Sequence, residues 1–210
     1  MHITLTKANA YLLFALLTKA ALTIDGLLAL VDYHQRTPPS LDPLPHADVS
    51  AWCFCLHNAI DMIAHSNRPF SYTMLHHTLA MAGGVGAIRV GGFTPSIIRM
   101  SLILEAVGPW YKALALAKRL HASPRVILNL SAGAVASNTL IRLPYAMWLA
   151  CTLLGYMHRY WDYTPVHTLR LWGMLAAYCP LIMYLDWKWS NRIVQFVRVL
   201  RINFRRPFAA

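Results

Sequence analysis

The chain has 210 residues, 57% of them hydrophobic and 13% charged, with a formal net charge of +11 and a mean hydropathy of +0.42. A soluble globular domain does not carry so much apolar sequence, so the composition points to a polytopic membrane protein. Nucleic-acid binding, the usual meaning of a strongly basic soluble chain, is set aside, because topology accounts for the charge and no recognition module is visible.

A helix needs about 20 apolar residues to cross the hydrocarbon core. Six windows are read as spans: Ala8 to Val31, Val49 to Ser66, Ser71 to Ile88, Thr94 to Tyr111, Val126 to Met157 and Val166 to Asp186. Ahead of the first, "MHITLTKANA" has neither the pattern of a cleavable signal nor that of a transit peptide, so the N-terminus gives no address. The first span carries Lys19 and Asp25. It is followed by "DYHQRTPPSLDPLPHADV", whose prolines and aspartates predict an irregular surface segment.

In the second span His57 and Asp61, spaced i and i+4, share a helix face, and His65 continues it. The third contains "SYTMLHHTLAMAGG", with His76 and His77 adjacent in apolar sequence; Gly83, Gly84 and Gly86 allow close helix approach. The fourth carries Glu105. The fifth is overlong, and Arg142 precedes Pro144 within it. Proline removes a backbone hydrogen bond and predicts a kink there, with Arg142 satisfying freed carbonyls or pairing with Glu105 or a lipid phosphate. Trp148, Tyr156, Tyr160, Trp161 and Trp172 fall mostly near span ends, as an interfacial belt does. Cys53, Cys55, Cys151 and Cys179 all lie within spans and read as small apolar packing residues.

The tail from Lys188 sets Arg192, Arg198, Arg201, Arg205 and Arg206 among apolar residues, and its end, "RRPFAA", matches no retrieval signal. Either a basic amphipathic helix on an anionic membrane surface or a positive stop at a helix end fits this pattern. With six alternating spans, twelve of the 19 cations fall on one side, and Arg36, Arg89 and Arg159 on the other. The positive-inside rule then places both termini on the cytosolic or matrix side. The organisation read is a first span and Pro-rich loop over 1–48, a helix bundle over 49–187 and a basic tail over 188–210, without an internal repeat.

Asp61, His76, His77 and Glu105 fall at one depth, roughly 8 to 9 Å below the cation-rich surface at 1.5 Å per residue. Ionisable groups there avoid lipid, so these should point into the bundle and touch one another. Two readings stand. One is a reactive site in which a histidine acts as base or nucleophile and a carboxylate orients it. The other is an interhelical hydrogen-bond network that only holds helices together. No metal is assigned, because adjacent helical histidines point about 100° apart and cannot chelate one ion together. His57 and Asp61 are the better-placed pair.

The successive elements "HNAIDMIA", "SYTMLHHTLAMAG", "SLILEAVGPWYKAL", "IRLPYAM" and "LDWKWSNRIV" resemble, in order and spacing, the landmarks of the TLC-domain family. That family includes translocating-chain-associated proteins, ceramide synthases and smaller TLC-domain proteins, and the resemblance runs from about Val49 into the basic tail. Asp61, the His76 and His77 pair, Glu105 with Pro109 after it, and Arg142 match family positions. The departures are specific. No Asp or Glu lies between His77 and Glu105 or between Glu105 and Asp162, where ceramide synthases carry an acidic cluster, and "EAVGPWYK" has Gly108 for threonine and Lys112 for asparagine.

The resemblance is nearest the small TLC-domain proteins and implies an all-α transmembrane bundle that handles lipid. The first expectation is a non-catalytic accessory subunit of a larger membrane assembly, with bound phospholipid and other membrane subunits as partners. An energy-transducing membrane such as the mitochondrial inner membrane is preferred to the endoplasmic reticulum. The alternative is an acyl-CoA-dependent acyltransferase using His76 or His77, Asp61 and Glu105. Arg142, Lys112, Arg119, Arg192 and Arg198 are the expected lipid or phosphate contacts. A transporter or proton relay lacks the broken or repeated helices it would need.

Overall fold

The computed structural model describes residues 6–36, 43–66, 72–159 and 161–163, and separate positions between 165 and 194. Arg192, Arg198 and Cys179 lie outside the described residues, as does most of the basic tail. The described part is helical, without a strand among the described residues.

Helix α1 spans Lys7–His34, and the Thr6 hydroxyl caps it by accepting from the Asn9 N–H at 3.2 Å. It is followed by α2 at Ala47–Ala64 and α3 at Tyr72–Val90. Then α4 at Thr94–Ser101 runs through a 3-10 stretch, Leu102–Val107, into α5 at Gly108–Arg119. Pro109 stands in the first turn of α5, where its missing N–H leaves no helical bond unmade. Helix α6, Pro124–Ser137, passes through a π turn at Asn138–Arg142 into α7, Leu143–Arg159.

The π turn stands where the sequence predicts a proline kink. The Leu143 N–H reaches back five residues to the Asn138 carbonyl just before Pro144, which has no N–H to offer. Helical backbone therefore continues from Pro124 to Arg159, and the overlong window is one 36-residue helix.

Among the described residues two helices, Lys7–His34 and Pro124–Arg159, are long and apolar enough to cross a membrane. At 1.5 Å per residue, the 28 residues of α1 extend about 42 Å against a hydrocarbon core of about 30 Å. The second, third and fourth windows fall short of that mark for local reasons, and much of the sixth lies outside the described residues. Helices α2 and α3 carry His57, Asp61, His76, His77 and Arg89, and the fourth window is interrupted by the 3-10 stretch.

From Thr94 to Gly108 every residue except Ser101 is buried. This track is the axis of the bundle: α1 lies along α4, the 3-10 stretch and α5, while α2 and α3 pair with each other and with α4. Leu17, Ile24 and Leu28 on α1, and Trp52, Leu56 and Ile63 on α2, project outward. A helix apolar on its outer face suits lipid rather than water. Cys53 and Cys151 are exposed on that apolar exterior, whereas Cys55 is buried as expected, its sulfur lying where a side chain on Gly84 would have to go.

At the end of α1 away from Lys7, Arg99 bonds Asp25 and Asp32 at 2.9 Å each and the Pro45 carbonyl at 2.7 Å. The Leu44 N–H donates to Ser96 Oγ at 2.8 Å. The end of the Pro-rich segment is thus tied down onto α4.

Candidate functional site

The sequence marks Asp61, His76, His77 and Glu105, and the structure brings these groups together as two adjoining clusters. Asp61 on α2 is 1% exposed. Its Oδ1 accepts from the Tyr11 hydroxyl of α1 at 2.6 Å. Lys112 of α5 sits 3.3 Å from Oδ2 and donates to the Tyr11 oxygen at 3.0 Å. His77 Nε2 lies 3.4 Å and His57 Nε2 3.7 Å from Oδ2.

One further contact fixes His77. The Asn58 amide donates to the Phe54 carbonyl at 2.8 Å, so its oxygen faces His77 Nδ1 at 2.5 Å. That oxygen only accepts, so Nδ1 carries the proton. Both ring nitrogens of His77 face protein groups, which holds the imidazole as a tie between α2 and α3.

His76 follows the helical rotation of about 100° and faces elsewhere. With Glu105 and Arg142 it forms the polar end of a cavity of about 350 Å³. The rest of that wall is apolar: Phe54, Leu79, Ile97, Ile98, Leu104, Leu149 and Leu153 among others, with Ser101 a hydroxyl within it. Glu105 accepts from Lys19 of α1 at 2.5 Å and also interacts electrostatically with Arg142 and His76. Room for the lysine comes from Gly108, where a Cβ would collide with the Lys19 chain.

Lys112 departs from its expected place. The sequence gives it to lipid phosphate, but its ammonium turns inward onto Asp61, because α5 continues the buried track two turns beyond Glu105. Arg119 is exposed in the last turn of α5, away from the layer, and Arg142 is buried at the cavity, 5% exposed. Lys19, Tyr11 and Asn58 complete the site and were not among its predicted members. A lysine in the middle of an apolar span was the available signal for Lys19. Tyr11 and Asn58 offered none beyond polarity.

No group of three His, Cys, Asp or Glu side chains among the described residues is placed to hold a metal ion. The Lys112 ammonium supplies the positive charge beside Asp61. No protein-family model, curated protein or solved structure matches this chain.

Proposed function

We propose that this chain is an integral membrane protein of six spans, TLC-like in its bundle, that holds a lipid and serves as an accessory, non-catalytic subunit of a larger membrane assembly. The observation carrying this reading is that both layer carboxylates are taken up inside the bundle: Asp61 by Lys112 and Tyr11, and Glu105 by Lys19. A carboxylate bound to a fixed ammonium is poorly suited to orienting a catalytic imidazole, and His77 is held at Nδ1 by Asn58 rather than by a carboxylate. The apolar exterior and the basic tail support membrane residence and attachment to neighbours.

A second reading, acyl transfer from an acyl-CoA, is favoured by one observation, namely that His76 borders the cavity beside Glu105 and Arg142. Affinity purification of the native membrane particle separates the two. Truncation after Ser190 should release the chain from its neighbours, while His76→Ala with His77→Ala should leave it bound and the bulk lipid profile unaltered. Loss of an acylated lipid in the double variant, with the truncated chain still active, would establish the enzyme. Fractionation of the same cells tests the mitochondrial inner membrane as the residence.

A further inference from the structure

Contacts between helices show which segments end together. Tyr11 and Lys19 of α1 meet Lys112 and Glu105, and Gly26 packs on Leu102 and Ile103, so α1 runs antiparallel to the track that ends as α5. Helix α6 runs antiparallel to α5 in turn, because Gly133 lies against Trp110 and the Ser137 hydroxyl donates to the Ala106 carbonyl at 3.0 Å. The start of α1, the end of α5 and the start of α6 therefore lie at one end of the bundle. Counted at 1.5 Å per residue from the level of Tyr11 and Lys112, Lys7 stands about 6 Å outward, Arg119 about 10 Å and Arg125 about 9 Å.

That end is charged in one sense. Lys7, Arg119, His121 and Arg125 are exposed there. Among the described residues the acids lie elsewhere or are bound within the bundle. Asp61 and Glu105 are held inside by Lys112 and Lys19, Asp25 and Asp32 are held by Arg99 at the opposite end, Asp48 opens α2 there, and Asp162 lies beyond the far end of α7. The chain beyond Asp186 contains cations and no acidic side chain. Apolar surface begins beside these charges, since Val126 follows Arg125 and is exposed, and Leu13 and Phe14 are exposed on α1 below Lys7. A phospholipid presents its phosphate above its acyl chains, and cationic side chains above an apolar helix exterior match that order. The turn between α5 and α6 is fixed, with His121 in a left-handed conformation at φ 50° and the Ala122 N–H donating to the Ala117 carbonyl at 2.9 Å.

We propose that this end of the bundle is a surface for acidic phospholipid, in which Arg119 and Arg125, flanking the turn at 120–123, hold headgroup phosphates while Val126 meets the chains. This rests on the membrane reading and adds the class of lipid at that boundary. Lys7 and His121 border the same layer. An anionic surface attracts each nearby cation, and a bond from arginine to phosphate is charge-assisted. A zwitterionic phospholipid carries a cation beside its phosphate and gives less net attraction.

The test uses full-length protein in detergent micelles, exchanged against phosphatidylglycerol or phosphatidylcholine with identical chains, and reads the lipid retained per protein. Phosphatidylglycerol should be preferred by about fivefold for each cation engaged, and less so at high salt. Arg119→Gln with Arg125→Gln should lower that preference by about tenfold or more. Arg119→Lys with Arg125→Lys should keep most of it, because the charge remains. Arg89→Gln, which removes an exposed cation from the last turn of α3 at the opposite end, should leave it unchanged. The proposal is overturned if the two lipids are retained equally, or if the double glutamine variant keeps the preference of the unaltered chain. If that variant keeps the lipid preference yet drops out of the native particle, the surface belongs to an acidic protein neighbour instead. Equal retention of both lipids leaves the membrane reading standing. A chain that stays dispersed without detergent and retains neither lipid removes that reading as well.

Discussion

Asp61 and Glu105 are both buried carboxylates met by a lysine from a neighbouring helix, yet their surroundings differ. Around Asp61, polar groups from α1, α2, α3 and α5 close on one another: Tyr11, Asn58, His77 and Lys112 leave the carboxylate inside a network, with His57 3.7 Å from it. Around Glu105 the lysine comes from α1, and the other neighbours, His76 and Arg142, border an apolar cavity. The two histidines are consecutive in the chain, so the difference comes from helical rotation. His77 is turned toward α2 and becomes a structural tie; His76 is turned toward the cavity beside Glu105 and Arg142.

The largest expected effect tests how singly Glu105 depends on Lys19. Lys19→Met leaves a buried carboxylate without its hydrogen-bonded ammonium, and removal of one partner from such a pair typically destabilises by about 3–5 kcal/mol. Adding Glu105→Leu removes the stranded charge and should restore most of the loss, since apolar replacement of a whole buried pair is often neutral. Thermal unfolding of the detergent-purified variants reads both. Equal losses in the single and double variants would mean that the lysine acts by packing against Gly108 and not by its charge.

A smaller effect is expected at Asp61. Tyr11→Phe removes one donor but leaves Lys112 and His77 in place, so the same measurement should fall by about 1–3 kcal/mol, the penalty of one hydrogen bond lost from a buried charge. A loss larger than that of Lys19→Met would reverse the comparison and make Asp61 the more exposed to a single deletion.

The chain announced its polar layer because ionisable residues inside apolar windows have few tolerable places to go. Asp61, His76, His77 and Glu105 stood out for that reason, and the structure places His77 beside Asp61 and His76 beside Glu105 at the cavity. Which histidine met which carboxylate was not legible, since rotation about a helix axis depends on packing from every side. Lys19 was visible as a charge but weakened the first window instead of marking a partner for Glu105, 86 residues away. The attachment of Arg99 to Asp25 and Asp32 joins residues 74 and 67 positions apart, a separation that no local pattern records. Helical backbone was easier to read than its interruptions. Charge at Lys112 and Lys118 ended the fourth window at Tyr111 while the helix continues to Arg119, and the 3-10 stretch before Pro109 left no signature in an otherwise apolar run.

The smallest expected effect separates the adjacent histidines. His77→Ala removes the tie to Asn58 and the neighbour of Asp61, and an interhelical hydrogen bond in a membrane bundle contributes about 0.6 to 2 kcal/mol. His76→Ala removes a half-buried ring at the cavity wall, where the space left joins a cavity already present, so unfolding should change less than in His77→Ala. Conversely, His76→Ala should change the binding of a lipid in the cavity that His76 borders, while His77→Ala should leave that binding near its original strength because its ring faces α2. Paired measurements of unfolding and ligand affinity on the two variants therefore have opposite rank orders. If both variants lose stability and affinity in the same proportion, the layer behaves as one unit, and the division between a closed cluster at Asp61 and a ligand-facing cluster at Glu105 does not hold.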